Sequence, residues 1–214
     1  CGYAHTIALD ENGVAWTWGT NEHGQLGLGQ NIAVQQKPIQ IPPLDCAISL
    51  VACGYHHSTC IDKNGNVWTW GNNEHGQLGN GTLQDLGSPS KLSGLPCFQN
   101  IVCGSYHIVA VDIDGLLWSW GWNSLGQLGI KHRHDQLEPI RVLLDHQILS
   151  VSCGYSHTIG VSSNGQAWSW GYNENGELGI GENGEVCIPH PIPDSGLIQY
   201  ASCGGNHSIL IDDQ

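Results

Sequence analysis

Methionine is absent from these 214 residues, phenylalanine occurs once, and lysine and arginine together number six against 19 Asp and Glu. The shortage of cations argues against a nucleic-acid binder, because a strong electrostatic grip on a duplex uses roughly six to ten phosphate contacts. The six are spread along the chain from Lys37 to Arg141 and cannot all face one backbone, and the formal charge is −13. No DNA partner is therefore expected. No apolar run approaches the ~20 residues of a membrane-spanning helix, and no secretory leader pattern is present. A membrane role is not expected, and an intracellular compartment, cytosol or nucleus, is. Nine cysteines occur without any Cys-x-x-Cys pair, and five share one repeat phase, so free thiols in a reducing compartment are expected rather than a disulfide framework. With no Met, and with both ends inside a repeat, the chain reads as part of something longer.

What is present is repetition. Cys1-Gly2-Tyr3-Ala4-His5 returns at Cys53–His57, Cys103–His107, Cys153–His157 and Cys203–His207, at steps of 52, 50, 50 and 50 residues. Trp16-Thr17-Trp18-Gly19 recurs at 68–71, 118–121 and 168–171, and Gly24-Gln25-Leu26-Gly27 at 76–79, 126–129 and, with Glu177, 176–179. In one unit, Ala47–Cys53 reads as a strand and His57–Asp62 as a second, with Thr59 and Ile61 on one buried face. Asn64-Gly65 marks a tight hairpin turn, and Val67–Trp70 is a third strand with both Trp on one face. A short outer strand is placed after Pro89, because proline is tolerated at an edge. Four antiparallel strands per ~50 residues describe a propeller blade. The expectation is an all-β propeller of four-stranded blades, about four of them, in one array over 1–214. Units start near Cys1, Cys53, Cys103 and Cys153, with a partial unit from Cys203. Trp16, Trp18, Trp68, Trp70, Trp118, Trp120, Trp168 and Trp170 are assigned to blade packing, and His5, His57, His107, His157 and His207 to structural hydrogen bonds.

The Cys-x3-His pairs are poor metal ligands. A zinc site needs about four converging ligands, whereas one blade offers a single pair and equivalent pairs should lie about 10 Å apart. No metal or cofactor is expected. No nucleophile elbow, phosphate loop or paired-carboxylate pattern is present, so covalent catalysis is not expected. The third unit departs most from the others: Trp122 stands beside the cationic loop Lys131-His132-Arg133-His134-Asp135. These six residues are the candidate partner-binding set.

The phrases Cys153-Gly154-Tyr155-Ser156-His157-Thr158, Asn164-Gly165, Trp170-Gly171, Asn173 and Gly176-Glu177-Leu178-Gly179 resemble the repeat of the regulator of chromosome condensation family. The resemblance implies a seven-bladed ring, of which this chain would be a partial or open arc able to self-associate through its edges. It also implies a protein-interaction scaffold, with a small GTPase as partner and guanine-nucleotide exchange on Ran as the specific activity. The alternatives are a generic interaction module of a larger protein, or a bacterial effector acting on a host GTPase pathway in the host-cell cytosol. The tryptophan and arginine of the family's ultraviolet-sensing segments are missing at Tyr3, Tyr55, Ser105, Tyr155 and Gly205, so light sensing is not implied.

Overall fold

The computed structural model describes residues 1–193 and 195–212. Its 17 strands form five antiparallel sheets in chain order. Three sheets have four strands: β4 (Ile48–Cys53) to β7 (Leu86–Lys91), β8 (Phe98–Cys103) to β11 (Gln136–Arg141), and β12 (Ile148–Cys153) to β15 (Val186–Pro191). A three-stranded sheet of β1 (His5–Leu9), β2 (Ala15–Thr20) and β3 (Val34–Gln40) precedes them, and a two-stranded sheet of β16 (Ile198–Cys203) and β17 (Ser208–Asp212) follows. The inner strands β4, β8, β12 and β16 pack on one another in turn, which makes the sheets blades around a common axis. The arc is an open, partial propeller. No helix among the described residues is long and apolar enough to cross a membrane.

Apolar side chains fill the space between blades. Trp120 packs with Ile61, Phe98 and Ile101, and Trp170 with Val109, Val111 and Val151. This arrangement corrects the half-buried reading of the second strand: all six residues of β5 (His57–Asp62), β9 (His107–Asp112) and β13 (His157–Ser162) are buried. Neighbouring blades cover both faces, so alternation survives only in the end sheets, where Ala8, Ile209 and Ile211 are exposed. In the third and fourth units the two Trp of a pair also differ, while Trp68 and Trp70 are both buried. Trp70, Trp120 and Trp170 are fully buried between blades, whereas Trp16, Trp18, Trp118 and Trp168 keep partial exposure. The outer strand is an edge as expected, but Pro89 lies inside β7 rather than ahead of it. It sits where the register slips between Thr69 and Gly71, so no ladder bond needs its missing N–H.

The recurring phrases bond one blade to the next. Gly54 has no side chain because the His57 ring lies under it; a Cβ there would meet His57 Cε1 at 2.0 Å. His5 Nε2 is 2.9 Å from Ser58 Oγ, whose own proton goes to the Gln25 carbonyl at 2.7 Å. With that hydroxyl proton committed, the ring donates from Nε2. The same carbonyl accepts from Trp70 Nε1 at 2.9 Å, so Gln25 joins its blade to the next through two donors. His107 with Thr158, and His157 with Ser208, repeat the contact at 3.3 and 3.0 Å. His57 is the exception: Ile108 stands in the hydroxyl position, and neither ring nitrogen finds a partner among the described residues. Burial lowers the His57 and His107 pKa values to about 3, and burial, then the N-terminal charge, lowers that of His5 to about 4.

Candidate functional site: an aromatic and acidic propeller face

The turns between the first and second strands of each blade, and the loops between the third and fourth, emerge at the same end of the sheets. A chain of backbone hydrogen bonds ties the inner turns together: Tyr3 N–H donates to Tyr55 O (3.3 Å), Tyr55 to Ser105 (3.0 Å), Ser105 to Tyr155 (3.1 Å) and Tyr155 to Gly205 (2.9 Å). One or two repeats apart in sequence but adjacent in space, their side chains meet. Tyr3 and Tyr55 stack with ring centroids 4.6 Å apart, and Tyr55 lies 5.6 Å from Tyr106 and 5.9 Å from Tyr155.

The outer loops add histidines and carboxylates. A buried Asn organises each loop: Asn73 Oδ1 accepts from Leu78 N–H at 2.9 Å, and its amide donates to the carbonyls of Thr82 and Gln84. This holds His75 against Tyr106 (5.4 Å) and Trp122 (5.8 Å), while His23 lies 5.1 Å from His56. His23 Nδ1 is 2.8 Å from Asp85 of the next blade, and His75 Nδ1 is 3.0 Å from Asp135 of the blade after. Glu22 and Glu74 are exposed beside this cluster. Burial and then the nearby His23 lower the His56 pKa, against the pull of Glu22 and Glu74. Burial, then Glu74, raises that of Tyr106. Aromatic faces with carboxylates at their border suit cationic side chains of a partner.

At the axis, a cavity of about 350 Å³ is lined by Cys1, Cys53, Cys103, Cys153 and Cys203 with the residues that follow them. All nine cysteines are free. Burial pushes the Cys103 and Cys153 thiols well up, so the ring is poor in thiolate and weakly nucleophilic. Among the described residues, no group of three or more His, Cys, Asp and Glu is arranged to hold a metal ion.

The six residues singled out in the third unit part company. Trp122 joins the face, its indole N–H donating to Ser124 Oγ at 2.9 Å, and Asp135 joins it through His75. Arg133 is engaged across the blade boundary. It pairs with Glu185 of the following blade, taking over the inter-blade link that His23–Asp85 and His75–Asp135 make elsewhere, since Leu125 replaces the histidine in its own loop. His132 and His134 are exposed, their rings 5.4 Å apart, and their carbonyls hold the Asn123 amide. Lys131 points out of the loop with a positive φ of 72°. Tyr3, Tyr55, Tyr106, Tyr155, His23, His56 and His75 were not among the candidate site residues; Tyr3, Tyr55 and Tyr155 entered only as positions where the family's sensing tryptophan is missing. Their signal was there, as a tyrosine two or three residues after the phrase cysteine in four of five copies.

The model of the RCC1-like domain matches residues 1–214. The chain belongs to the RCC1-like domain family. It is similar to the Regulator of chromosome condensation of Xenopus laevis, with 39% identity over 93 residues, covering 44% of this chain and 22% of that protein. It is also similar to the human probable E3 ubiquitin-protein ligase HERC6, with 38% identity over 104 residues, covering 46% of this chain and 10% of that protein. The human WBSCR16 crystal structure superposes over the whole chain with a TM-score of 0.90 at 23% identity, covering 57% of that molecule, which establishes the shared fold. The matched stretches thus span about a tenth to a fifth of these curated relatives.

Proposed function

We propose that this RCC1-like arc is a protein-binding module whose Tyr–His face receives a basic protein surface, and that the small GTPase Ran is its partner. The observation that carries this reading is the contiguous aromatic cluster, from Tyr3 to Trp122, bordered by exposed Glu22 and Glu74 on a chain of charge −13. Such a field steers a basic partner and speeds encounter, especially at low salt. Exchange needs no covalent step. A module that binds the nucleotide-free GTPase more tightly than the loaded one shifts the equilibrium by that difference in affinity and so speeds nucleotide release. Ran is the choice because the family resemblance implies it, and the chain is 39% identical over 93 residues to a regulator of chromosome condensation. The test is the release of a fluorescent guanine nucleotide from Ran at micromolar concentrations of the chain. Acceleration supports exchange, and unchanged release refutes it for these residues.

A second reading is favoured by the relative HERC6, of which the matched stretch is only 10%. Here the arc is a recognition module within a larger protein and binds a basic partner without exchange. Binding of a partner through the Tyr–His face with no effect on nucleotide release would select it.

A further inference from the structure

Successive blades also meet at the outer rim, in equivalent clefts that can be compared residue by residue. Between the β4–β7 and β8–β11 blades the cleft is lined by Asn80, Lys91, Ser93 and Glu138. One blade further, fifty residues on, the same positions are Ile130, Arg141, Leu143 and Ile188. Polar groups have become apolar, and the carboxylate has gone. Leu143 is 72% and Ile188 46% exposed, so the apolar groups are presented to solvent rather than packed away.

The cleft carries a second anomaly at Lys131. The other three loops have glycine here, Gly29, Gly81 and Gly181, with φ of 82°, 76° and 79°, and Lys131 adopts 72°. The backbone bond is the same in both clefts: Gly81 N–H donates to Leu137 O at 2.9 Å, and Lys131 N–H to Cys187 O at 2.8 Å. The blade contact therefore needs the left-handed backbone and gains nothing from the lysine, which is disfavoured there. A side chain kept against backbone strain points to use outside the fold. Lys131 and Arg141 are exposed and form no ion pair among the described residues, while the remaining cation nearby, Arg133, is held by Glu185. Two uncommitted cations thus flank an exposed apolar cleft on a chain of net charge −13.

We infer that this cleft binds an acidic, apolar peptide segment of a partner protein. One apolar side chain of the segment lies against Leu143 and Ile188, and its flanking carboxylates reach Lys131 and Arg141. The cleft measures about 240 Å³. That is below the ~300–1,000 Å³ of an enclosed small-molecule site, and suits a single inserted side chain. Its charge is opposite to that of the Tyr–His face, so the two surfaces select different chemistry.

The test is selection from a random peptide display library on the whole chain, followed by fluorescence anisotropy of the selected peptides. The comparison protein is the Lys131→Gly/Ile188→Glu variant, which installs the residues of the neighbouring cleft. Selected peptides should carry Leu, Ile or Phe beside Asp or Glu. They should bind the variant at least about tenfold more weakly, and binding to the unaltered chain should fall with added salt. Leu143→Ser serves as a second variant should Ile188→Glu unfold the blade contact. Peptides that are basic or uncharged, peptides that bind both proteins equally, or a selection that yields no binder would each overturn the inference.

Discussion

Replacing Thr158 by valine changes the shape of a fully buried side chain very little, yet it should destabilise the protein by about 1–3 kcal/mol. The hydroxyl has three partners: it donates to Gln127 O at 3.1 Å, lies 3.3 Å from His107 Nε2, and lies 3.7 Å from Cys153 Sγ, a weak contact that adds little. Valine leaves the carbonyl satisfied, because Trp170 Nε1 still donates to it at 2.9 Å. The loss falls on His107, whose Nδ1 already lacks a partner and whose Nε2–H is then also left unpaired in the interior. One buried unsatisfied donor sets the magnitude quoted. The chain itself contains the reverse case. At position 108 isoleucine occupies the hydroxyl site, and His57 is unpaired. Threonine there can accept from His57 and donate to the Gln77 carbonyl, which now receives only Trp120 Nε1. Valine is ordinarily preferred to threonine in a buried apolar site, so the comparison of Ile108→Thr with Ile108→Val removes the volume effect and isolates the hydroxyl. Urea unfolding followed by tryptophan fluorescence measures both pairs as midpoint shifts at constant slope. Threonine should be more stable than valine at both positions. A more stable valine variant at either position would refute the assignment of this hydroxyl as an inter-blade acceptor.

Acid should unfold the protein through the same histidines. His5, His57 and His107 have folded pKa values of about 4, 3 and 3, below the unfolded value near 6.5, so the unfolded chain binds more protons. Stability is therefore complete above pH ~6.5 and falls below it, by about 1.4 kcal/mol per pH unit for each histidine; undiminished stability from pH 6.5 to 4.5 would contradict this. Lys131→Gly should raise the unfolding free energy by about 1 kcal/mol by relieving the left-handed lysine, read as a higher Tm. Ser162→Asp should stabilise by a similar ~1 kcal/mol, because Trp168 Nε1 lacks a partner while Trp68 and Trp118 donate to Asp62 and Asp112 at 3.1 and 2.9 Å; no change in urea midpoint would count against it. A polypeptide of residues 1–214 should self-associate through exposed Ile209, Ile211 and Tyr200, and sedimentation should find Ile209→Lys/Ile211→Lys shifted toward monomer.

The strands were legible because each carries a local mark. The Asn64-Gly65 turn, the Trp68 and Trp70 doublet and the His57–Asp62 segment all fall where the sequence puts them. Complete burial of the second strand was not legible, since alternation describes a strand covered on one face, and the second cover comes from a blade ~50 residues away. The Tyr–His face was hidden for a related reason. Nothing local says that Tyr3, Tyr55 and Tyr155 touch; curvature about the axis brings their turns into hydrogen-bonding range. His23 and Asp85 are likewise 62 residues apart in sequence. Trp122 was visible as a departure from the repeat, whereas Arg133 looked like a free cation because its partner, Glu185, lies in the next unit.

The central claim is that the Tyr–His face is where a basic protein partner binds, and titration calorimetry with Ran tests it most directly. Three forms of the chain are compared: unaltered, Glu74→Lys/Tyr155→Ala on the face, and Lys131→Gly at the rim. Glu74 and Tyr155 are exposed, so the face variant should fold normally. The account predicts binding by the unaltered and rim forms and at least about tenfold weaker binding by the face variant. Equal affinity in all three forms, or no binding by the unaltered chain, would contradict it.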